Sequence, residues 1–151
     1  MKLFELFSED LVFLQQSFKS KSQLIESLVG EIAKQGKISN VDPVLTSLLE
    51  REEVNTSAVN DQIAVPHLRT DMVVDFVAAF CCLKNSLDFG ALDKQNVNFV
   101  LLLLAPKEKA GEYLALLARF SRIFKKEENR KKVLTFNKAD EFINFIKIQE
   151  G

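Results

Sequence analysis

One histidine occurs in the 151-residue chain, within the stretch QIAVPHLR from Gln62 to Arg69. His67 follows a proline at the end of a β-branched run. A strand anchored by Ile63, Ala64 and Val65 would therefore present the imidazole at its end, along a path stiffened by Pro66. An imidazole with a reference pKa of about 6.5 is roughly three-quarters neutral at pH 7. It then offers a nitrogen nucleophile without a base to activate it. A histidine packed in a core or exposed in a loop would be written the same way, and composition alone leaves both open. Other chemistries lack residues. Catalytic zinc takes three protein ligands and structural zinc four, whereas this chain has one histidine and two adjacent cysteines, Cys81 and Cys82. None of the five glycines forms a G-x-x-x-x-G-K-[ST] or G-x-G-x-x-G cradle, and no Ser-His-Asp order stands out from spacing. Neither a metal nor a cofactor is expected.

The elements that would position His67 follow from periodicity. From Ser20 to Gly36, SKSQLIESLVGEIAKQG carries Leu24, Ile25, Leu28, Val29, Ile32 and Ala33 at helical spacing. Ser20 or Ser22 serves as cap and Gly36 as stop. DPVLTSLLEREE predicts a second helix, with Asp42 as cap, Pro43 in the first helical position and Val44, Leu45, Leu48 and Leu49 as its buried stripe. Strands are expected at Leu11 to Leu14, Ile63 to Val65, Val73 to Leu83 and Val97 to Ala105, with KNSLDFGALDKQN as the turn region between the last two. Runs apolar on both faces need cover on both sides, so helices should flank the sheet. AGEYLALLARFSRIFKK is helical again, with Leu114, Leu117, Ser121 and Phe124 along one side. EENRKKVL gives a short helix, and NKADEFINFIKI a final one with Asn137 and Asp140 as its cap pair. No linker, repeat or low-complexity stretch interrupts residues 1–151. The expectation is one α/β domain, a mixed sheet with helices on both faces.

Charge and cysteine usage narrow the partners. Twenty basic against twenty-one acidic side chains give a net charge of −1, which argues against a nucleic-acid binder. The basic run RIFKKEENRKK is interleaved with acids and reads as a solvated helical face. No stretch reaches the ~18 apolar residues of a membrane span, and MKLFELFSEDL meets charges too early for a signal peptide. Adjacent cysteines on a strand point to opposite faces and form no ordinary bridge. They suit small buried hydrophobes in a reducing compartment, which makes a cytoplasmic protein the expectation.

The text LLEREEVNTSAVNDQIAVPHLR, Leu48 to Arg69, resembles the active-site region of enzyme IIA domains of the bacterial phosphoenolpyruvate-dependent phosphotransferase system. The likeness is to the fructose/mannitol class, including its nitrogen-regulatory members. That pattern runs roughly R-E-x-x-G-S-T-x-I-x-x-G-I-A-I-P-H, and the spacing from Arg51 to His67 is kept without a gap. LDFGALDKQNVNFVLLLLAP is similar to the family's F-x-A-L-D-x-x-x-V-x-x-x-x-L-L-A-P segment. GEYLALLARFSRIF is similar to its G-x-H-L-x-x-L-A-x-L helix. The resemblance covers nearly the whole chain, most strongly from about Leu48 to Phe124, and rests on three motifs in order at matching spacing.

The resemblance implies a phosphocarrier of the enzyme IIA fructose/mannitol-type fold. His67 would accept a phosphoryl group from phospho-HPr or a nitrogen-branch counterpart. It would then pass the group to an enzyme IIB or hold it as a signal to a regulatory target. Arg51 falls on the family's arginine, which stabilises the phosphoryl oxygens by charge and position. Thr56 and Ser57 fall on its S-T pair and would meet the phosphate or shape the turn. Departures are equally specific. Tyr113 stands where the family has a second histidine, and Asn55 and Gln62 stand where it has glycines. A phenol donates a hydrogen bond but carries no positive charge. Tyr113 is therefore expected either to serve as a phosphate donor or to mark a fold kept as an interaction module without the chemistry. The altered lining favours a regulatory member over a sugar-transport subunit.

Overall fold

Val97 to Ala105 is apolar at nearly every position, and such a strand holds its place only between two covered faces. The computed structural model, which describes residues 1–151, provides that cover. The elements in order are β1 (Val12–Gln16), α1 (Lys21–Lys34), α2 (Val41–Val54), β2 (Ile63–Ala64), β3 (His67–Arg69), β4 (Val77–Leu87), β5 (Val97–Ala105), α3 (Ala110–Lys125), α4 (Glu127–Val133) and α5 (Ala139–Glu150). Two 3₁₀ turns, Leu3–Leu6 and Glu9–Leu11, precede β1. The sheet is mixed. β4 pairs antiparallel with β5, while β1 runs parallel to β4, and β2 and β3 run parallel to β5.

Alternation along β5 divides the core. Phe99, Leu101, Leu103 and Ala105 pack with α3, α4 and α5. Val100, Leu102 and Leu104 pack with α1 and α2 on the other face. Aromatic rings fill the first layer: Phe80 stacks on Phe142 at 3.9 Å between centroids and meets Phe7 edge-on at 6.3 Å. Phe136 and Phe142 are buried as packing residues. Cys81 and Cys82 fall one in each layer, both free, and burial pushes each thiol up to about 12. The chain ends meet. Both carboxylate oxygens of Glu150, at the end of α5, accept amide protons near the start, from Leu3 at 2.6 Å and Phe4 at 2.7 Å.

Several local expectations need correction. Ser20 does cap α1, its hydroxyl accepting from the Gln23 amide. The cap of α2 is Asn40, not Asp42, so Pro43 lies third in the helix rather than first. Its missing N–H still has no intrahelical acceptor there. β4 begins at Val77 because Val73 and Val74 belong to the preceding loop, and it runs on to Leu87, through residues expected to turn. The buried stripe of α3 is Tyr113, Leu116, Phe120, Ile123 and Phe124, while Leu114 is exposed. The α5 cap is closed by Glu141, whose carboxylate accepts from the Asn137 and Lys138 amides in place of Asp140.

A further strand, β3, lies beyond the expected Ile63 to Val65. β2 and β3 keep a single register on β5, with Ile63 opposite Phe99, Ala64 opposite Val100 and His67 opposite Leu103. Only Val65 and Pro66 separate them. Proline lacks the N–H of a regular ladder, but its carbonyl still accepts from the Leu103 amide at 3.0 Å. An edge position tolerates that loss. His67 therefore lies inside an interrupted edge strand, not beyond its end.

Candidate functional site

The segment between α2 and β2 doubles back along this edge. Ala58 pairs antiparallel with Ala64, the Val59 amide donates to the Ile63 carbonyl, and the Val65 amide donates to the Ser57 carbonyl at 2.9 Å. The reversal is tight, and it needs two consecutive left-handed residues, Asp61 (φ 65°) and Gln62 (φ 68°). Asn55, by contrast, is extended at φ −142°. Of the two family glycines replaced here, only the one at Gln62 carried a conformational demand.

This fold-back brings Thr56 and Ser57 beside His67, with Arg51 in the last turn of α2. Together they line a cavity of about 450 Å³, with Glu50, Glu52, Val54 and Pro66 also in its wall. The imidazole is fixed by its own neighbour. Nδ1 lies 2.6 Å from the Val65 carbonyl oxygen. A carbonyl has no proton to give, so Nδ1 is the donor and the neutral ring keeps its lone pair on Nε2.

The remaining expected residues divide by what their polar atoms already do. The Thr56 hydroxyl gives its one proton to the Phe89 carbonyl at 2.5 Å and accepts from the Ala58 amide. It has no proton left for a phosphate and acts as a clamp on the loop. The Ser57 hydroxyl is buried without a protein partner, while the Ser57 amide donates to Glu52 at 2.9 Å. Tyr113 stands outside the cavity wall but against the imidazole, 5.5 Å between ring centroids at 56°. Burial raises its phenol to about 12, against the opposing pull of the Arg51 and Arg69 guanidinium groups.

Two residues were missed. Glu52 is only 7% exposed, and its carboxylate joins Lys21 Nζ at 3.1 Å to the Ser57 amide. Lys21 also donates to the Phe89 carbonyl at 3.2 Å. Glu52 thus ties the start of α1, the end of α2 and the loop under the cavity. A glutamate following Arg51 on a surface-type helix gave little sign of burial. Arg69 is the other, two residues along β3 from His67 and exposed. Its signal was strand alternation, which became readable only once β3 was known.

The family model described as "Phosphoenolpyruvate-dependent sugar phosphotransferase system, EIIA 2" matches residues 5–148. The chain belongs to that family. This enzyme IIA domain is 29% identical over 146 residues to the PTS system fructose-specific EIIABC component of Bacillus subtilis, matching 97% of the chain but 23% of that relative. It thus spans about a quarter of that protein's length. It is 29% identical over 133 residues to the nitrogen regulatory protein of Bradyrhizobium diazoefficiens, covering 88% of the chain and 86% of the relative. Among solved structures, the nitrogen regulatory protein IIA-Ntr of Neisseria meningitidis superposes with a TM-score of 0.86 at 23% identity, over 95% of this chain and 98% of that one. The complex of enzyme IIAMTL with phosphorylated enzyme IIBMTL from Escherichia coli matches with a TM-score of 0.78 at 18% identity, over 93% and 96%. These likenesses establish the enzyme IIA fold, a single α/β domain with a mixed sheet. No helix of this domain is long and apolar enough to cross a membrane.

Proposed function

We propose that this enzyme IIA domain is a cytoplasmic phosphocarrier that takes a phosphoryl group on Nε2 of His67. The observation that carries the reading is the Val65 carbonyl on Nδ1, which leaves Nε2 as the nucleophilic nitrogen of an imidazole at the cavity wall. The donor is an HPr-like phosphohistidine or its nitrogen-branch counterpart. As the Nε2–P bond forms, the donor's N–P bond breaks and its electron pair stays on the donor nitrogen. Nδ1 keeps its proton throughout, held by Val65. The three phosphoryl oxygens stay negative, so fixed charge does the stabilising. A guanidinium such as that of Arg51, about 4 Å from an oxygen, contributes about 4 kcal/mol at an effective dielectric of 20. The Ser57 hydroxyl and the Tyr113 phenol supply neutral donors, and Thr56 holds the loop that presents them.

The destination is regulatory in this reading: a partner protein binds the loaded and unloaded forms differently. Similarity to nitrogen regulatory proteins in sequence and fold supports it. The second reading is transport, in which the group passes to an enzyme IIB, and it is favoured by the fructose-specific relative and by the IIB complex of the mannitol enzyme. Transfer from the loaded protein to a purified IIB would decide for it.

The test is incubation with phosphoenolpyruvate, enzyme I and HPr, wild type beside His67→Ala, followed by intact mass measurement. An acid-labile phosphoryl adduct is expected on wild type alone. Tyr113→His is expected to load at least as fast as wild type. No adduct with carriers of the same organism would leave only an interaction module.

A further inference from the structure

Around His67 the groups with a permanent positive charge are few, and two of them do nothing else. β2 and β3 share one register on β5, so alternation carries across Pro66. Ile63 and Val65 pack on the α3 side, and Ala64 and Leu68 on the α1–α2 side. His67 and Arg69 therefore both lean towards α3, where the Tyr113 ring meets the imidazole. Leu68 is buried between them and fixes that alternation. Arg51 approaches from the end of α2, across the cavity wall.

Neither guanidinium is engaged within the chain. Arg119 donates to the Met1 carbonyl, and Arg130 to the Phe124 and Lys125 carbonyls. Arg51 and Arg69 enter no comparable bond or ion pair. Arg51 lines the cavity with His67, and Arg69 follows His67 by two residues on the same face of β3, so both charges border the imidazole that Tyr113 meets. Tyr113 itself is neutral at physiological pH, and Lys21 is neutralised by Glu52.

We propose that Arg69 is the second arm of an anion cradle, binding a phosphoryl oxygen on His67 from the β3 side while Arg51 binds from the α2 side. The proposal deepens the phosphocarrier reading and rests on it for the identity of the anion. Two fixed cations match a group with two to three negative oxygens, and a tyrosine cannot do so. Arg69 lies on the strand that carries the nucleophile, so the β5 ladder holds its backbone at a fixed two-residue spacing from His67.

The single histidine makes a direct assay possible. Inorganic phosphate is titrated into protein labelled at the imidazole nitrogens, and the one histidine signal is followed by NMR. Arg69→Gln, Arg51→Gln and Arg69→Lys are compared with Arg122→Gln, an exposed cation on α3. Arg69→Gln is expected to weaken phosphate binding about two- to fivefold, the upper part of the range for one exposed charge pair. Arg69→Lys recovers part of it, and Arg122→Gln matches wild type. If Arg69→Gln matches the Arg122→Gln control, or if phosphate leaves the wild-type imidazole unmoved, the cradle is overturned. Should phosphate bind in an Arg69-dependent way while wild type refuses transfer from phospho-HPr, the phosphocarrier reading fails and the cradle stands.

Discussion

Gln62 occupies a left-handed conformation (φ 68°) in the reversal that leads the chain back to His67. A side chain there crowds the carbonyl oxygen, at a cost of about 1–2 kcal/mol relative to glycine. Gln62→Gly removes that crowding but gives the unfolded chain more freedom, which offsets about 0.5–1 kcal/mol. Little else is lost. The Gln62 carbonyl, which accepts from the Asn98 and Phe99 amides, belongs to the backbone and stays. The side-chain amide meets Asn98 Oδ1 only at 3.5 Å. The net expectation is a gain of about 0.5–1 kcal/mol. At roughly 2–4 °C per kcal/mol for a domain of this size, Tm should rise by roughly 1–4 °C. Urea unfolding and a thermal melt of wild type, Gln62→Gly and Gln62→Ala measure it. Alanine has a Cβ too, so it should gain nothing. A loss of stability in the glycine variant, or an equal gain in the alanine variant, would refute the idea that backbone strain is what Gln62 stores.

Two further outcomes follow from the groups around the cavity. Glu52→Ala leaves the Ser57 amide and Lys21 without their carboxylate and should cost about 2–4 kcal/mol in urea unfolding. Once Glu52 is gone, Lys21→Met should cost little more, and fully additive losses in a double-mutant cycle would contradict the pairing. Tyr113 is the one tyrosine in a chain without tryptophan, so tyrosinate absorbance reports on it alone. The native midpoint should lie near pH 12. Its folded pKa exceeds the unfolded value of about 10, so the contribution is whole below pH 10 and is lost as pH rises towards 12, up to about 2–3 kcal/mol. A native midpoint near 10 would mean that the phenol is hydrated.

The fold was readable where one physical demand dominated a stretch. Val97 to Ala105, apolar but for Asn98, gave β5 residue for residue, and the 3.6 period of Leu24, Ile25, Leu28 and Ile32 gave α1. It was less readable where neighbours decide. The phase of α3 was misjudged because Leu114 and Leu116 look alike in sequence, and only the aromatic layer beneath selects the stripe ending in Phe120 and Phe124. β3 was hidden because Pro66 is a strand breaker everywhere except at an edge. At the candidate site, His67 stands out as the one histidine at a strand end, Arg51, Thr56 and Ser57 follow from a resemblance in spacing, and the fold-back of Ala58 on Ala64 is what gathers them. The hydrogen-bond partners stayed invisible. Nothing in the text EREEVNTS says that Glu52 turns inward to Lys21, or that Thr56 spends its proton on Phe89.

The Glu150 carboxylate gripping the Leu3 and Phe4 amides links residues 147 and 146 positions apart. In chain topology the domain is a near-closed ring held shut by a non-covalent latch, where α5 meets β1 at the sheet edge opposite the one that carries His67. The order in which the elements are threaded is then partly arbitrary, because a short tether across the latch and a cut in an exposed turn would preserve the same packing. A neighbouring module attached at either end would hang from the same spot and leave the histidine edge open. Fusion and free existence become equivalent arrangements for such a domain.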